Sequence, residues 1–273
     1  MMDITGAAYV IGASGIGRSC AIAFARFGAS SLTLADINTE SLQSVVKECQ
    51  AQATNPAFQA EAVVVDVTSA ASVEAAFHHA VSAFGRIDYC VNSAGIGVKT
   101  ASETADADIE EFKKMLNVNT TGTFIVTRAM SAIMKTQELR LVDSCSPGRG
   151  ATRGSIVNLG SASSFVATPN MIQYTVSKHA VIGITKSAAL DNAAFGIRVN
   201  SVCPSWVDTP MIRKAMDDIP GLGKKIETAV PLGRIAMAEE VADAVIFLSS
   251  PRSSYTTGCN LILDGGTTLG TNI

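Results

Sequence analysis

Short apolar runs at regular intervals constrain this chain more than any single residue does. Ala7–Ile11, Ser31–Ala35, Ala62–Val67 and Ile87–Val91 alternate with stretches whose apolar positions recur at helical spacing, and Ser155–Leu159, Ile197–Val202 and Asn260–Leu263 continue the series. Runs that are apolar throughout need cover on both faces, which is the situation of a parallel sheet. Repetition of strand, helix and strand then gives right-handed crossovers with helices on both sides. The expected fold class is α/β, a doubly wound parallel sheet of about seven strands. Hydrophobic residues at 47% against 16% charged supply the apolar surface such a sheet needs, and 273 residues fit one domain, 1–273. A stretch at 135–154, rich in Pro, Gly, Ser and charge, reads as a solvated surface loop. A segment at 206–230, with Pro220-Gly221 and Gly223 inside it, reads as a mobile lid over a substrate.

The same composition excludes several classes. A net charge of −3, without a Lys/Arg cluster among aromatics, leaves no footprint for nucleic acid. Cys20, Cys49, Cys90, Cys145, Cys203 and Cys259 form no C-x-x-C pair, and His78, His79 and His179 lie at no metal-ligand spacing, so no metal is expected. The start, Met1 to Thr5, lacks a basic signal-type segment and no apolar run reaches spanning length. A cytoplasmic protein without a membrane partner is expected.

Chemistry concentrates where the apolar runs end. Ala7–Ile11 leads into Gly12-Ala13-Ser14-Gly15-Ile16-Gly17 and then into helical periodicity through Ile22, Phe24 and Phe27. Glycines let backbone turn tightly and approach a pyrophosphate, whose charge the N–H groups of a helix start favour. The second run ends at Asp36, nineteen residues after Gly17, where a carboxylate would bond the ribose hydroxyls of NAD. That carboxylate repels the 2′-phosphate of NADP, and the following Ile37 and Asn38 bring no cation. Arg18, just after the glycines, is the counterweight that keeps NADP as the minority alternative. Asp66, followed by Val67, would reach the adenine amino group or else start the next helix with Thr68 and Ser69. Asn92-Ser93-Ala94-Gly95 closes the fourth run with small residues that allow close approach of a cofactor. Within a long helix over Asp108–Met134, the polar run from Asn117 to Gly122 predicts an interruption.

Downstream, Ser161 stands at the end of a run, and Tyr174 and Lys178 lie four residues apart, on one face of a helix continuing to Phe195. A free phenol titrates at about 10. Tyrosine therefore serves as a base near neutrality only where a cation stabilises its phenolate, and Lys178 is placed to be that cation. The spacing alone fits a surface helix better; the glycine turn, Asp36 and Ser161 overturn that in favour of the chemical reading.

With these residues in order, the chain resembles the short-chain dehydrogenase/reductase family, in its compact single-domain branch, over essentially its whole length. The resemblance implies a Rossmann-type sheet in the order 3-2-1-4-5-6-7, and homotetramers or dimers built through the long helices. It also implies roles: Tyr174 as acid/base, Lys178 favouring the phenolate and holding the nicotinamide ribose, Ser161 binding the substrate oxygen, and Asn119 anchoring a water relay. Cofactor contacts are implied for Gly12, Ser14, Gly15, Ile16, Gly17, Asp36, Ile37, Asp66, Val67, Asn92, Ala94, Gly95, Tyr174, Lys178, Pro204, Val207 and Thr209. The family's glycine pattern, T-G-x-x-x-G-x-G, is altered here. Either Val10 and Ile11 replace its Thr and Gly, or one residue is deleted and Gly12 is the first glycine, the reading favoured here. Ser205 replaces the glycine usual after Pro204 and is expected to trim the nicotinamide pocket. The 135–154 loop, with Gly154–Ser164, resembles fungal members that modify secondary metabolites.

The activity expected is an NAD-dependent oxidoreductase interconverting a secondary alcohol and a ketone on a lipophilic small molecule. Candidate pocket walls are Ser163, Phe165, Met171, Trp206 and Met211, with Ile96, Val166, Ile212 and Met216 beside them; the apolar members argue for a lipophilic substrate, although each also suits packing of the lid. An NADPH-dependent ketoreductase is the alternative enzyme. A nicotinamide-binding regulator or scaffold, prompted by the altered glycine loop, is the non-enzymatic one.

Overall fold

Strand β1 (Ala7–Ile11) is buried along its whole length, and its alternation divides the protein into two cores. Ala8 and Val10 join an apolar cluster with Cys20 and Phe24 of α1 (Gly15–Arg26), Leu42 and Val45 of α2 (Thr39–Gln52), and Val241 and Val245 of α9 (Ala238–Ser249). Tyr9 and Ile11 face the other way, toward Val73 and Phe77 of α3 (Ala70–Phe84) and Val126 and Met130 of α5 (Gly122–Thr136). A strand covered on both faces needs apolar residues at every position, which is why these runs read as continuous. The computed structural model describes residues 4–270, so Met1–Asp3 of the N-terminal reading and the end of the 1–273 domain lie outside the described residues.

The remaining strands are β2 (Ser31–Asp36), β3 (Gln59–Val64), β4 (Tyr89–Asn92), β5 (Gly154–Leu159), β6 (Ile197–Pro204) and β7 (Asn260–Leu263). Together they form one parallel sheet in the order β3-β2-β1-β4-β5-β6-β7, the Rossmann-type arrangement expected. Helices α4 (Ile109–Met115) and α6 (Ile172–Ala193) and the lid pair α7 (Pro210–Asp218) and α8 (Leu222–Ala229) complete the main elements. The expected interruption of the long helix is a π-turn over Leu116–Thr121, between α4 and α5. Such turns carry an extra residue in the ladder and re-aim backbone at functional sites.

Two strands differ from expectation, for local reasons. The third was expected over Ala62–Val67 but ends at Val64. Asp66 Oδ1 accepts the Thr68 N–H at 2.9 Å and its hydroxyl at 2.7 Å, a turn that takes the chain off the ladder. The fourth was expected from Ile87 but begins at Tyr89, because the Gln137 side-chain amide takes both the N–H and the C=O of Ile87. The 135–154 loop carries a short antiparallel ribbon, Arg140–Leu141 with Ala151–Thr152, at the N-terminal end of the sheet. Arg140 reaches Asp88 there at 3.7 Å. The loop thus braces the end of the molecule away from the strand C-termini.

Several buried side chains among the described residues carry a polar atom without a partner, Tyr9 among them. The Tyr9 ring meets Phe77 edge-on at 4.7 Å, while its hydroxyl is buried with no partner among the described residues. Tyr9→Phe keeps the ring pair and removes the orphaned hydroxyl. In urea unfolding it is expected to leave stability unchanged or raise it by about 1 kcal/mol, against a loss of about 3–5 kcal/mol for Phe77→Ala. A loss above about 1 kcal/mol for Tyr9→Phe would mean that the hydroxyl has a partner in solution.

Candidate active site

The chemistry-bearing strand ends open on one side of the sheet, the carboxyl side, where doubly wound folds hold their ligands. At the first of them Ile11 still pairs with Ala35 and Asn92, and the chain turns at Gly12, whose φ is +105°. The Gly12 N–H donates to the Ala35 carbonyl at 2.8 Å. Gly15 also lies at positive φ, +47°. A Cβ on Gly17 would stand 2.0 Å from the Gly12 carbonyl oxygen, so the start of α1 packs directly on the turn. Ser14 occupies the N-cap position without capping α1 through its side chain. The loop therefore presents backbone N–H groups beside a helix start, a cradle that fits a pyrophosphate.

Asp36 ends β2 beside this cradle. Its Oδ2 accepts the Ala13 N–H at 2.6 Å and its Oδ1 the Asn38 N–H at 2.8 Å. Arg18 is turned to Glu48 of α2, Nη2 to Oε1 2.5 Å. Ile37 is largely exposed just beyond the carboxylate. Asp66 spends one oxygen on its own turn, and Ser69 rather than Asp66 caps α3. Val67 is buried against Gly122, where a Cβ would meet its Cγ2 at 2.9 Å. Asn92, wholly buried, donates to the Thr123 hydroxyl at 3.2 Å.

Across the crevice, Tyr174 and Lys178 share one face of α6. Lys178 is 7% exposed; its Nζ lies 5.7 Å from the Tyr174 ring centroid and donates to the Leu159 carbonyl at 2.9 Å. Ser161 is the N-cap of a 3-10 turn over Ala162–Ser164, and its Oγ accepts the Ser163 N–H at 3.1 Å. With that lone pair engaged, the hydroxyl proton of Ser161 is the group left to donate. Asn119 sits in the π-turn and clasps Ile96 in both directions, Oδ1 to its N–H at 2.9 Å and Nδ2 to its C=O at 3.0 Å. The same Nδ2 reaches Ser177 Oγ at 3.2 Å.

The segment expected as a lid lies against the crevice. Its base is a two-residue parallel ladder, Val207–Asp208 with Ala236–Met237, so the chain leaves and re-enters the body at one point. Thr209 caps α7, and its methyl would lie 3.0 Å from a Cβ on Gly15; Met211 Sδ would lie 3.0 Å from one on Gly97. A cavity of about 170 Å³ results, lined by Ser14, Gly15, Ile16, Gly95, Ser161, Tyr174, Lys178, Pro204, Val207, Thr209 and Met211, with Ile96 and Ile212. Phe165 and Val166 are part-exposed outside its lining, Ser163 lies within the 3-10 turn after Ser161, Met171 precedes α6 at its N-cap, and Ala94 lies next to Gly95. Trp206 lines a neighbouring cavity of about 230 Å³ with Val230, Leu232 and Leu263, and Met216 packs toward Gly223 of α8. The Ser205 hydroxyl accepts the Trp206 N–H and reaches Thr267 Oγ1 at 3.4 Å, which ties the lid base to the turn after β7.

Sequence reasoning passed over the residues that hold this arrangement together. Ser164, almost wholly buried, accepts the Ser161 N–H at 3.2 Å and donates to the Lys178 carbonyl at 2.7 Å, so one hydroxyl joins both halves of the constellation. Thr123 donates to the Asn119 carbonyl at 2.7 Å. Cys203 packs its thiol under Gly160; burial pushes the thiol up, against the opposing pull of Ser201, the Ser161 N–H and Lys178, which leaves a neutral packing group. Their types alone, Ser, Thr and Cys in apolar surroundings, carry no signal without their distant partners. Gly17→Ala tests the cradle: the added methyl would displace the Gly12 carbonyl, with an expected loss of about 1–3 kcal/mol in urea unfolding, whereas a loss under about 0.5 kcal/mol would mean that the turn is not tightly packed.

A family model described as enoyl-(acyl carrier protein) reductase matches residues 10–268. The short-chain dehydrogenase srdC of Neurospora crassa is 66% identical over 272 residues, 100% of both chains. The 2,5-dichloro-2,5-cyclohexadiene-1,4-diol dehydrogenase of Sphingobium indicum is 35% identical over 270 residues, 98% of this chain and 99% of its own. Levodione reductase has a solved structure similar to this one, with a TM-score of 0.85 and 27% identity, covering 99% of this chain and 100% of that one. Among the described residues no helix is long and apolar enough to cross a membrane, and no group of three or more His, Cys, Asp or Glu is gathered as for a metal. From glycine turn to lid, the chain belongs to the short-chain dehydrogenase/reductase family, whose members are oxidoreductases working with nicotinamide cofactors.

Proposed function

We propose that the protein is an NAD-dependent oxidoreductase that interconverts a secondary alcohol and a ketone on a lipophilic small molecule. The observation that carries the reading is the buried Lys178 ammonium beside Tyr174, in the same small cavity as Ser161 and the glycine turn. The Ser161 hydroxyl donates to the substrate oxygen and orients it toward Tyr174. In oxidation Tyr174 Oη takes the alcohol proton, and in reduction it returns one; Lys178 offsets the negative charge that the phenol oxygen carries in the base form. Lys178 itself is held by the Leu159 carbonyl, while Asn119 locks the Ile96 segment and Ser177 around it. A nicotinamide held in this crevice would supply the hydride acceptor for oxidation of the carbinol carbon, and the hydride donor for reduction. Pro204, Val207 and Thr209 would flank that ring, with the pyrophosphate at Ser14 to Gly17.

NAD is favoured by the Asp36 carboxylate and by Arg18, whose guanidinium is engaged by Glu48. Met211, Ile96 and Ile212 around the cavity support a lipophilic substrate, and a ring-borne carbinol agrees with the diol dehydrogenase relative. The apolar residues Phe124 of α5 and Val176 and Leu190 of α6, all exposed, support a homo-oligomer formed through these helices.

With lipophilic secondary alcohols as substrates, kcat/KM for NAD is expected to exceed that for NADP by about tenfold or more, or about 1.4 kcal/mol. A preference for NADP would overturn the Asp36 argument. Tyr174→Phe is expected to lower kcat by about 100-fold to 10,000-fold while the dissociation constant of NAD, measured by calorimetry, changes little. Normal turnover in that variant would remove Tyr174 from the proton transfer.

A further inference from the structure

We infer that Asp36 has a second task besides meeting the ribose: its carboxylate is the fixed acceptor that holds the shortened glycine loop in binding shape. The inference rests on the nicotinamide-binding reading of the crevice and is independent of the choice between NAD and NADP. Between the positive-φ residues Gly12 and Gly15 stand only Ala13 and Ser14, one residue fewer than the family pattern has. The sheet ladder ends with the Gly12 N–H on the Ala35 carbonyl, so Ala13 is the first loop residue beyond it. Ala13 is 1% exposed, with its methyl in the core formed by α1, α2 and α9. A residue so placed needs a protein partner for its N–H, since water does not reach it. The partner is Asp36 Oδ2 at 2.6 Å, a charge-assisted bond from the end of the adjacent strand.

The other oxygen, Oδ1, is pinned by the Asn38 N–H at 2.8 Å, so the carboxylate is held from both sides. The Ser14 side chain does not cap α1, so the far end of the loop is tied through its carbonyl, which accepts the Arg18 N–H at 3.3 Å. An ionised carboxylate offers about four acceptor sites. Two are used inside the chain, which leaves one on each oxygen for a pair of adjacent ribose hydroxyls. Loop order and ribose recognition are therefore two faces of one side chain.

A ribose-only role and the dual role give different results in the cofactor-free protein. In Asp36→Ala, hydrogen exchange at the Ala13 amide is expected to speed up by about tenfold or more, the equivalent of 1.4 kcal/mol, and the KM values for NAD and NADP are both expected to rise, because the phosphate grip is loosened for either. Unchanged exchange at Ala13, with a raised KM for NAD and a lowered one for NADP, would overturn the dual role while leaving the nicotinamide reading intact. Absence of binding of either cofactor to the wild-type chain would instead overturn that reading, while the exchange result still stands on its own. Should Asp36→Ala not fold, Asp36→Asn provides one acceptor oxygen for two N–H groups, so exchange at Ala13 or at Asn38 is expected to quicken. Wild-type protection at both amides would reject the clamp.

Discussion

A buried ammonium is the constraint around which this site is built. Placing the Lys178 charge in the interior is costly unless polar groups replace its water. The Leu159 carbonyl supplies one such group at the end of β5, and the Tyr174 ring stands nearby. Because that carbonyl ends a buried strand of the central sheet, the charge is tied directly to the sheet. The helix that carries it is tied a second time, through Ser164, to the turn that carries Ser161. Ser161 and Lys178 are thus fixed relative to each other by strand, turn and helix rather than by a loop.

Behind the site, the π-turn and α5 bring a polar stripe into an otherwise apolar core. Asn119, Thr123, Thr127 and Ser131 succeed one another at intervals of four residues, and all are buried. Thr123 meets Asn92, Thr127 meets Asn158, and Ser131 meets Asn192. Asn158 passes on to Thr185 of α6 at 3.2 Å. Asn92 and Asn192 leave their Oδ1 without a partner among the described residues, yet the bonds that are made require one register of helix against strand. The stripe therefore sets where the π-turn, and Asn119 within it, must fall.

Much of this was legible in the amino-acid order. The run Ala70–Phe84 reads as a helix and is one, with Ser69 as its cap, and the polar break at Asn117–Gly122 reads as an interruption and is a π-turn. Less legible were features settled by partners far along the chain. Gln137 decides where β4 begins, fifty residues before it, through its bonds to Ile87. Ser164 acquires meaning only when α6 returns Lys178 to its side.

Sequence by itself determined the parallel sheet, the crevice at the carboxyl ends of its strands, and the residues gathered there. Period, composition and glycine placement are local properties, and local stereochemistry and burial act on them directly. Only the tertiary structure decided that Asp36 grips the glycine loop, that Trp206 faces a neighbouring cavity, and that Ser164 joins Ser161 to the helix of Tyr174 and Lys178. Each of those depends on the direction of a single hydrogen-bonding group, and that direction is fixed only when distant segments pack and leave one partner within reach.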